Sequence, residues 1–486
     1  MPIFIEMPNN ILNLIRMSNQ KMNDQSNNNK EKKMAVLFSV QTHGVSNEEN
    51  DSSLLELRRL VKTMGLKVVA TLTQRRSKPE SATLLGAGKL KELASYTGGS
   101  GMVEGFSRKS EHEPSDDIDE EYPIDSLDGL DEEILSDEPM ARNSVQANVV
   151  IYDGEISTKQ LQNLEKATGV EVLDRTGVIL EIFSRHAKSR EALIQVEIAK
   201  LAYSAPRLRA SQIGGDRQGG GVGSKGMGET SHEISKRRIR DRVSELKSRL
   251  EGIRVEQNRR RDRRKENFQV SLVGYTNAGK SSLMRKLTGS DVLVEDKLFA
   301  TLDTRVKSLH PVAFPPVVVS DTVGFIKKLP HDLVASFQST LDEALAASLL
   351  LFTVDASDPA FRSQLAVTQS VLEEIGGEKI PRRLILNKID KLTTGELEAL
   401  NQEFPDGIFI SAHNTEDVAT LRQQILQFFE SNMIETTMVI PYDKGHLLGQ
   451  LRNKASITNE SYDETGTEVT FKTFPETLNW LQKNMD

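Results

Sequence analysis

Gly274-Tyr275-Thr276-Asn277-Ala278-Gly279-Lys280-Ser281 decides how this chain is read. An apolar, strand-like run, Phe268-Gln269-Val270-Ser271-Leu272-Val273, precedes it, and helix-forming Ser282-Leu283-Met284-Arg285-Lys286-Leu287 follows. Glycines let a backbone wrap closely round phosphates, and successive N–H groups at a helix start hold negative charge. In such a loop Lys280 reaches the β- and γ-phosphates and the Ser281 hydroxyl ligates Mg²⁺. Strand, loop and helix in that order predict a nucleotide site rather than a structural turn.

The loop alone does not separate ATP from GTP. The segment Leu384-Ile385-Leu386-Asn387-Lys388-Ile389-Asp390 reads as a short buried strand ending in a polar loop, where open α/β sheets place their ligands. Asp390 is suited to accept hydrogen bonds from N1–H and the exocyclic amine of guanine, donors that adenine does not present in that arrangement. A base that leaves such an acceptor unpaired is strongly rejected. The Lys388 stem can lie over the base, and Asn387 can tie this loop to the phosphate loop.

Between these segments, Val317-Val318-Val319-Ser320-Asp321-Thr322-Val323-Gly324 is a β-branched strand running into an acid and a glycine. Asp321 is placed to hold Mg²⁺ through its water shell, and the Gly324 N–H to meet the γ-phosphate. Upstream, Phe299-Ala300-Thr301-Leu302-Asp303 offers Thr301 as a switch hydroxyl for Mg²⁺. Downstream, Ser411-Ala412-His413 follows the apolar run 407–410 and can complete a guanine pocket through backbone groups, His413 reading as a loop residue beside the base. Five elements in this order predict a GTPase related to translation factors.

At 486 residues the chain is expected to contain two to four domains. It contains no cysteine, which excludes disulfides and thiolate metal sites and is compatible with a reducing cytosol. No window resembles a membrane span, so no stable membrane insertion is expected, only cytoplasmic protein with at most a membrane-peripheral fraction. Residues 1–33 read as a disordered extension or an early start codon. The net charge of −8 conceals segregation: residues 104–138 hold fifteen acids against Arg108 and Lys109, leaving +5 on everything else. That acidic run is expected to be a solvated loop, with self-shielding mimicry of nucleic acid as the alternative.

Residues 34–203 alternate strand and helix signals. Ala35-Val36-Leu37-Phe38 and Leu66-Lys67-Val68-Val69-Ala70 bracket the amphipathic run 54–61, and Asn148-Val149-Val150-Ile151-Tyr152 adds a further strand. This predicts a small α/β domain with a partly parallel sheet, interrupted by an insertion at about 97–144. Leu85-Gly86-Ala87-Gly88-Lys89 lacks phosphate-loop spacing and reads as a turn before a helix. Residues 204–266 comprise a glycine-rich loop and a basic helical linker. Within it, 235–265 carries fourteen Lys/Arg against five acids, with Leu246, Leu250 and Ile253 at helical spacing. A helical hairpin is expected, either a solvated linker or a phosphate-binding RNA surface. The GTPase domain is expected over 267–432, with a mostly parallel sheet and helices on both faces, and a small α/β module over 433–486.

Together these residues resemble the HflX family of ribosome-associated GTPases. The most specific stretches are 73–79 (Thr73 to Pro79), Val172-Leu173-Asp174-Arg175-Thr176-Gly177 and Gly226-Met227-Gly228-Glu229-Thr230, with 274–281, 299–303 and 321–331 in the GTPase segment. The resemblance implies GTP binding and hydrolysis, Mg²⁺, and association with the large ribosomal subunit and its rRNA. A role in ribosome rescue, splitting or biogenesis follows from it, and a monomer is expected off the ribosome. Ser231-His232-Glu233-Ile234 and Arg305-Val306-Lys307 depart from the family pattern, and the family offers no role for the insertion.

Catalysis has a gap in this reading. Phe325 follows Asp321–Gly324 where many GTPases carry a water-orienting glutamine, and phenylalanine can neither donate nor accept that hydrogen bond. Slow turnover completed by a partner is therefore expected. Asn277 occupies a loop position that carries asparagine in similar GTPases recruiting K⁺ near the β–γ bridge; the alternative is that it braces the loop. A different class of function, a nucleotide switch that recruits a protein partner with hydrolysis incidental, shares the same core.

Overall fold

The computed structural model describes residues 33–80, 82–103, 146–212, 231–262, 268–289, 298–299, 305–311, 314–328, 338–431, 433–463 and 465–485. The glycine-rich loop 213–230, most of the acidic segment, residues 1–32 and Ala300 to Asp303 lie outside them. The chain divides after Arg175 into two compact units.

The first unit is a four-stranded sheet, β1 (Met34–Gln41), β2 (Lys67–Arg75), β3 (Val149–Tyr152) and β4 (Glu171–Asp174), in the order β2-β1-β3-β4. Ala35 to Phe38 are completely buried, as a central strand covered on both faces requires. Helix α1 (Asn47–Thr63) buries Leu54, Leu57, Leu60 and Val61 on one stripe, and Ser46 caps its start by accepting from the Glu49 N–H. Two further helices are α2 (Ala87–Ser95) and α3 (Thr158–Thr168), the latter opened by a Ser157/Gln160 capping box.

Two expectations change here. The sheet is parallel at every pairing rather than partly so. The insertion begins later than residue 97, because residues 97–101 are built into the domain. The Thr97 hydroxyl donates to the Thr168 carbonyl at 2.7 Å, and the Gly101 N–H donates to the Ala167 carbonyl at 2.9 Å.

The buried charge of this unit gathers past the strand ends. Arg175 is 1% exposed; its guanidinium donates to Asp153 Oδ1 at 2.6 Å and to Glu56 Oε2 at 2.5 Å. Ser53 Oγ donates to the other Asp153 oxygen at 2.5 Å.

Arg175 also begins α4 (Arg175–His186), which runs into the second unit, followed by α5 (Arg190–Gln212) and α6 (Ser231–Asp262). The basic stretch is thus one 32-residue helix, not a hairpin within itself. Its apolar seam, Leu246 and Leu250, is buried as α6 packs along α5, which buries Ala192, Val196, Ala199 and Leu201. That pairing places α5 with the second unit, whereas the sequence reading carried the first domain to residue 203.

The central sheet of the second unit contains β5 (Phe268–Gly274), β6 (Arg305–Ser308), β7 (Val317–Asp321), β8 (Leu349–Asp355), β9 (Arg382–Asn387) and β10 (Ile408–Phe409). Their order is β10-β9-β8-β5-β7-β6, and only the β6–β7 pair is antiparallel. Its helices are α7 (Lys280–Thr288), α8 (Gln338–Leu345), α9 (Phe361–Glu374), α10 (Thr394–Glu403) and α11 (Thr415–Glu430). On one face Val270, Leu272 and Leu351 pack with Leu283, Leu421 and Ile425 of α7 and α11. On the other, Val354 and Leu386 pack with Phe361 of α9 and Leu400 of α10. Helices therefore cover both faces, as a parallel sheet demands.

The last element group is an antiparallel sheet, β11 (Ile434–Pro441), β12 (Ser456–Tyr462) and β13 (Gly466–Thr473), in the order β11-β13-β12. Two helices accompany it, α12 (Gly445–Lys454) and α13 (Pro475–Met485). The sequence reading contains neither β12 nor α13. β12 is a polar edge strand without apolar alternation, and α13 buries only Leu481 completely. The Phe474 ring lies 4.7 Å from that of Phe268, at the start of β5. Among the described residues no helix is long and apolar enough to cross a membrane.

Candidate functional site

The strands β5, β7, β8 and β9 all end at one edge of the central sheet, and the loop after β10 joins them. Open α/β sheets bind ligands at the carboxyl ends of their strands, where the strand order reverses. Here the order reverses between β5 and its neighbours, and the phosphate-type loop leaves β5 at that point.

Gly274 closes β5 so tightly against β8 that a Cβ there would stand 2.1 Å from the Thr353 carbonyl oxygen. Only glycine fits. Asn277 takes the left-handed conformation, φ 63°, and is exposed. Lys280, the first residue of α7, folds its ammonium back over the loop and donates to the carbonyls of Gly274 at 3.0 Å and Tyr275 at 2.7 Å. Burial lowers its pKa to about 8, with the Asp321 carboxylate pulling the other way. A phosphate arriving at this loop would supply the missing negative charge.

Ser281 Oγ donates to Asp321 Oδ2 at 2.7 Å. A hydroxyl and a carboxylate this close, beside a buried ammonium, are hard oxygen donors of the kind Mg²⁺ takes together with phosphate oxygens. Thr301, the other expected metal ligand, lies outside the described residues together with Ala300, Leu302 and Asp303.

The Asp321–Gly324 turn is laced to the loop. Thr276 N–H donates to the Phe325 carbonyl at 2.9 Å, and Phe325 N–H donates to the Gly274 carbonyl at 3.1 Å. The Tyr275 hydroxyl accepts from the Lys327 N–H at 2.6 Å. Phe325 is buried, so its ring packs in the interior and offers nothing to a water.

At the other end, Asn387 is the buried joint. Its Nδ2 donates to the Ala278 carbonyl at 2.8 Å and its Oδ1 accepts from the Ala412 N–H at 3.1 Å, so one amide fastens both loops. Asp390 follows in a 3₁₀ turn, Ile389–Lys391, and its Oδ1 accepts from Ser411 Oγ at 2.5 Å. Asp390 is exposed, and its carboxylate is oriented before any base arrives. The His413 N–H donates to Ser411 Oγ at 3.3 Å, and the imidazole is exposed.

Two residues read as nucleotide ligands have their side chains taken up by the fold. The Thr322 hydroxyl is completely buried and donates to the Leu272 carbonyl at 2.8 Å, stitching β7 to β5. The Phe299 ring is buried edge-on against Phe183 of α4, with centroids 4.6 Å apart. Val323 is likewise buried. Apolar rings and spent hydroxyls leave only backbone groups for a ligand at these positions.

One site residue has no expectation behind it. Asp355, the last residue of β8, accepts from Lys388 Nζ at 2.6 Å, while its second oxygen accepts from the N–H and hydroxyl of Ser357. Lys388 is left-handed, φ 64°, and this pair fixes the direction of its stem. The available signal is an acid terminating an apolar strand beside a loop that contains a lysine. Asp355→Asn is expected to weaken GDP binding about fivefold by freeing that stem. Titration with a fluorescent GDP analogue checks this, and unchanged affinity would count against it.

Three family models match successive parts of the chain. Residues 51–103 and 133–184 match the family described as "GTP-binding GTPase N-terminal". Residues 186–264 match "GTP-binding GTPase Middle Region", and 269–388 match "50S ribosome-binding GTPase". The protein called GTPase HflX in Gluconacetobacter diazotrophicus is 50% identical over 452 residues, covering 93% of this chain and 98% of that one. GTPase HflX of Alkalihalophilus pseudofirmus is 39% identical over 420 residues, covering 86% and 88%. Among solved structures, a GTP-binding protein from Sulfolobus solfataricus in complex with GDP is 22% identical, with TM-score 0.40, covering 81% of this chain and 99% of that one. With guanine-loop, phosphate-loop and metal-type donors on one sheet edge and half its residues shared with a relative over nearly full length, the chain belongs to the HflX family of GTP-binding and GTP-hydrolysing proteins.

Proposed function

We propose that this GTPase acts on the large (50S) ribosomal subunit, in rescue or splitting of stalled ribosomes or in subunit biogenesis. The observation that carries the reading is α6. It presents Lys236, Arg237, Arg238, Arg240, Lys247, Arg249 and Arg259 as exposed side chains on one continuous helix that precedes the GTPase segment in the chain. A row of cations on a rigid helix suits a phosphate backbone, and the segment 269–388 matches a family described as ribosome-binding.

In this proposal Lys280 and the loop amides take the β- and γ-phosphates, Gly324 N–H meets the γ-phosphate, and Asp390 reads guanine beneath the Lys388 stem. Ser281 and Thr301 would hold Mg²⁺, with Asp321 acting through water, and the ion would supply positive charge to offset the negative charge on the phosphate oxygens. Asn277, exposed in the loop, is the candidate ligand for a K⁺ ion beside the β–γ bridge. Phe325 supplies no water-orienting group, so turnover is slow until ribosomal subunits complete the site.

Single-turnover hydrolysis with and without 50S subunits, in KCl and in NaCl, tests this. Stimulation of about a hundredfold or more is expected from a completed site, of the size that partner-supplied groups bring to such reactions. Co-sedimentation is expected with GTP or a non-hydrolysable analogue, weakening steeply with salt. Equal rates and no co-sedimentation in any nucleotide state would overturn the ribosomal reading and favour a switch for a protein partner.

A further inference from the structure

The hydroxyls lining the site are almost all engaged: Ser281 with Asp321, Thr322 with Leu272, Ser411 with Asp390. Thr276 is the exception. It is 7% exposed, and its Oγ1 is buried without a hydrogen-bond partner among the described residues. Buried hydroxyls are normally satisfied, since an unmade bond leaves the full desolvation penalty standing. An orphan of this kind, inside a ligand loop, marks a group whose partner comes with the ligand.

Its position identifies which part of the ligand. Thr276 is the loop residue that abuts the Asp321–Gly324 turn. Its N–H bonds the Phe325 carbonyl, and a Cβ on Gly324 would stand 2.8 Å from both Thr276 Cα and its Cγ2 methyl. Lys280 and Ser281 lie at the start of α7. Because the Gly324 N–H is the group proposed to meet the γ-phosphate, the seam between Thr276 and Gly324 is the part of the loop nearest that phosphate on this reading. Val323 and Phe325 beside it are buried apolar side chains.

We propose that the Thr276 hydroxyl donates a hydrogen bond to the γ-phosphoryl group of bound GTP and is a catalytic residue. The inference rests on GTP hydrolysis at this loop. In that reaction a water oxygen forms the new bond to γ-phosphorus as the bond to the bridging oxygen breaks. The electron pair stays with the β-phosphate of GDP, and a water proton ends on inorganic phosphate or solvent. A donor fixed beside the equatorial oxygens stabilises them without reorganising. It also replaces part of what Phe325 does not supply.

The test uses the full chain with Mg²⁺, comparing Thr276→Val, which keeps the shape, with Thr276→Ser, which keeps the hydroxyl. Single-turnover hydrolysis at saturating GTP is expected to fall about tenfold or more in the valine variant, and to stay within about threefold of the parent in the serine variant. GDP affinity is expected to hold within about twofold, because GDP has no γ-phosphate. The stability of the second unit in the nucleotide-free valine variant, followed by hydrogen exchange at the buried strand amides of Val270 and Val319, is expected not to fall, because the hydroxyl it removes has no partner to lose among the described residues. A purely structural hydroxyl would lower it. Parent-like hydrolysis by the valine variant would overturn the proposal, as would a joint loss of GDP affinity and rate or a loss of that stability. If the parent chain hydrolyses no GTP under any condition, it is the GTPase reading that fails.

Discussion

Asp390→Asn is expected to lower GDP affinity by roughly 10²–10⁴ and to transfer the preference to xanthosine diphosphate. Of two hydrogen bonds to a charged acceptor, each worth about 1.5–3 kcal/mol, one is weakened to a neutral bond and the other is replaced by two donors facing each other. On the proposed reading the carboxylate would accept from both N1–H and the exocyclic amine of guanine. Asparagine keeps one acceptor for N1–H but turns a donor toward the amine, where xanthine carries a carbonyl oxygen. The swap is clean in this structure because the turn does not depend on the carboxylate alone. The Ile389 N–H donates to the Ile410 carbonyl, and Asn387 holds the neighbouring loop independently. Competition binding among guanosine, xanthosine and adenosine diphosphates reads the result. Retention of guanine preference would place the base elsewhere.

The second large effect lies far from the nucleotide in sequence. Arg175→Met is expected to destabilise the first unit by about 3–5 kcal/mol, because it leaves two buried carboxylates facing each other without their cation. Asp153 and Glu56 are both under 10% exposed, and the guanidinium donates to each. A chain of two units does not unfold in a single step, so a global melting point would mix the effects. Hydrogen exchange at the amides of Val36 and Val150, in the buried strands β1 and β3, isolates the unit. Protection there is expected to fall by roughly 10²–10³, and most of it to return when Glu56→Met and Asp153→Leu accompany the change. Undiminished protection would show that the cluster contributes little.

The sequence was most legible where residue type and order coincide with local structure. The run 268–288 forms strand, loop and helix in sequence because the apolar segment, the glycines and the helix formers follow one another directly. The β-branched run 317–321 and the capping signals at Ser157 and Thr393 work in the same way. Illegible elements lack a local signature. β4 is four residues long with one exposed, and β12 is a polar edge. The break imagined within 235–265 fails because nothing there stops a helix: the segment continues unbroken, and its apolar seam finds its partner in α5 instead.

Site residues divide along the same line. Lys280, Ser281, Asp321, Asn387 and Asp390 are readable because their chemistry depends on a motif a few residues long. Asp355 and Arg175 are not, since each acquires its role from a partner distant in sequence or strand order. Arg175 in particular reads as an ordinary solvated cation, or only as part of a family resemblance, until Glu56 and Asp153 close on it. The same holds for two expected ligands whose side chains the fold takes up. Nothing local tells that the Phe299 ring turns to Phe183, or that the Thr322 hydroxyl is taken by Leu272.

The sequence by itself determined the kind of nucleotide site, because glycine, lysine, serine and aspartate at these spacings have chemistry that survives any reasonable packing. Tertiary structure alone decided which polar groups remain available to a ligand. Hydrogen bonding in a packed interior is a matter of which distant groups arrive within about 3 Å. Every hydroxyl in the motif looks alike in the sequence; only packing leaves Thr276 without a partner among the described residues.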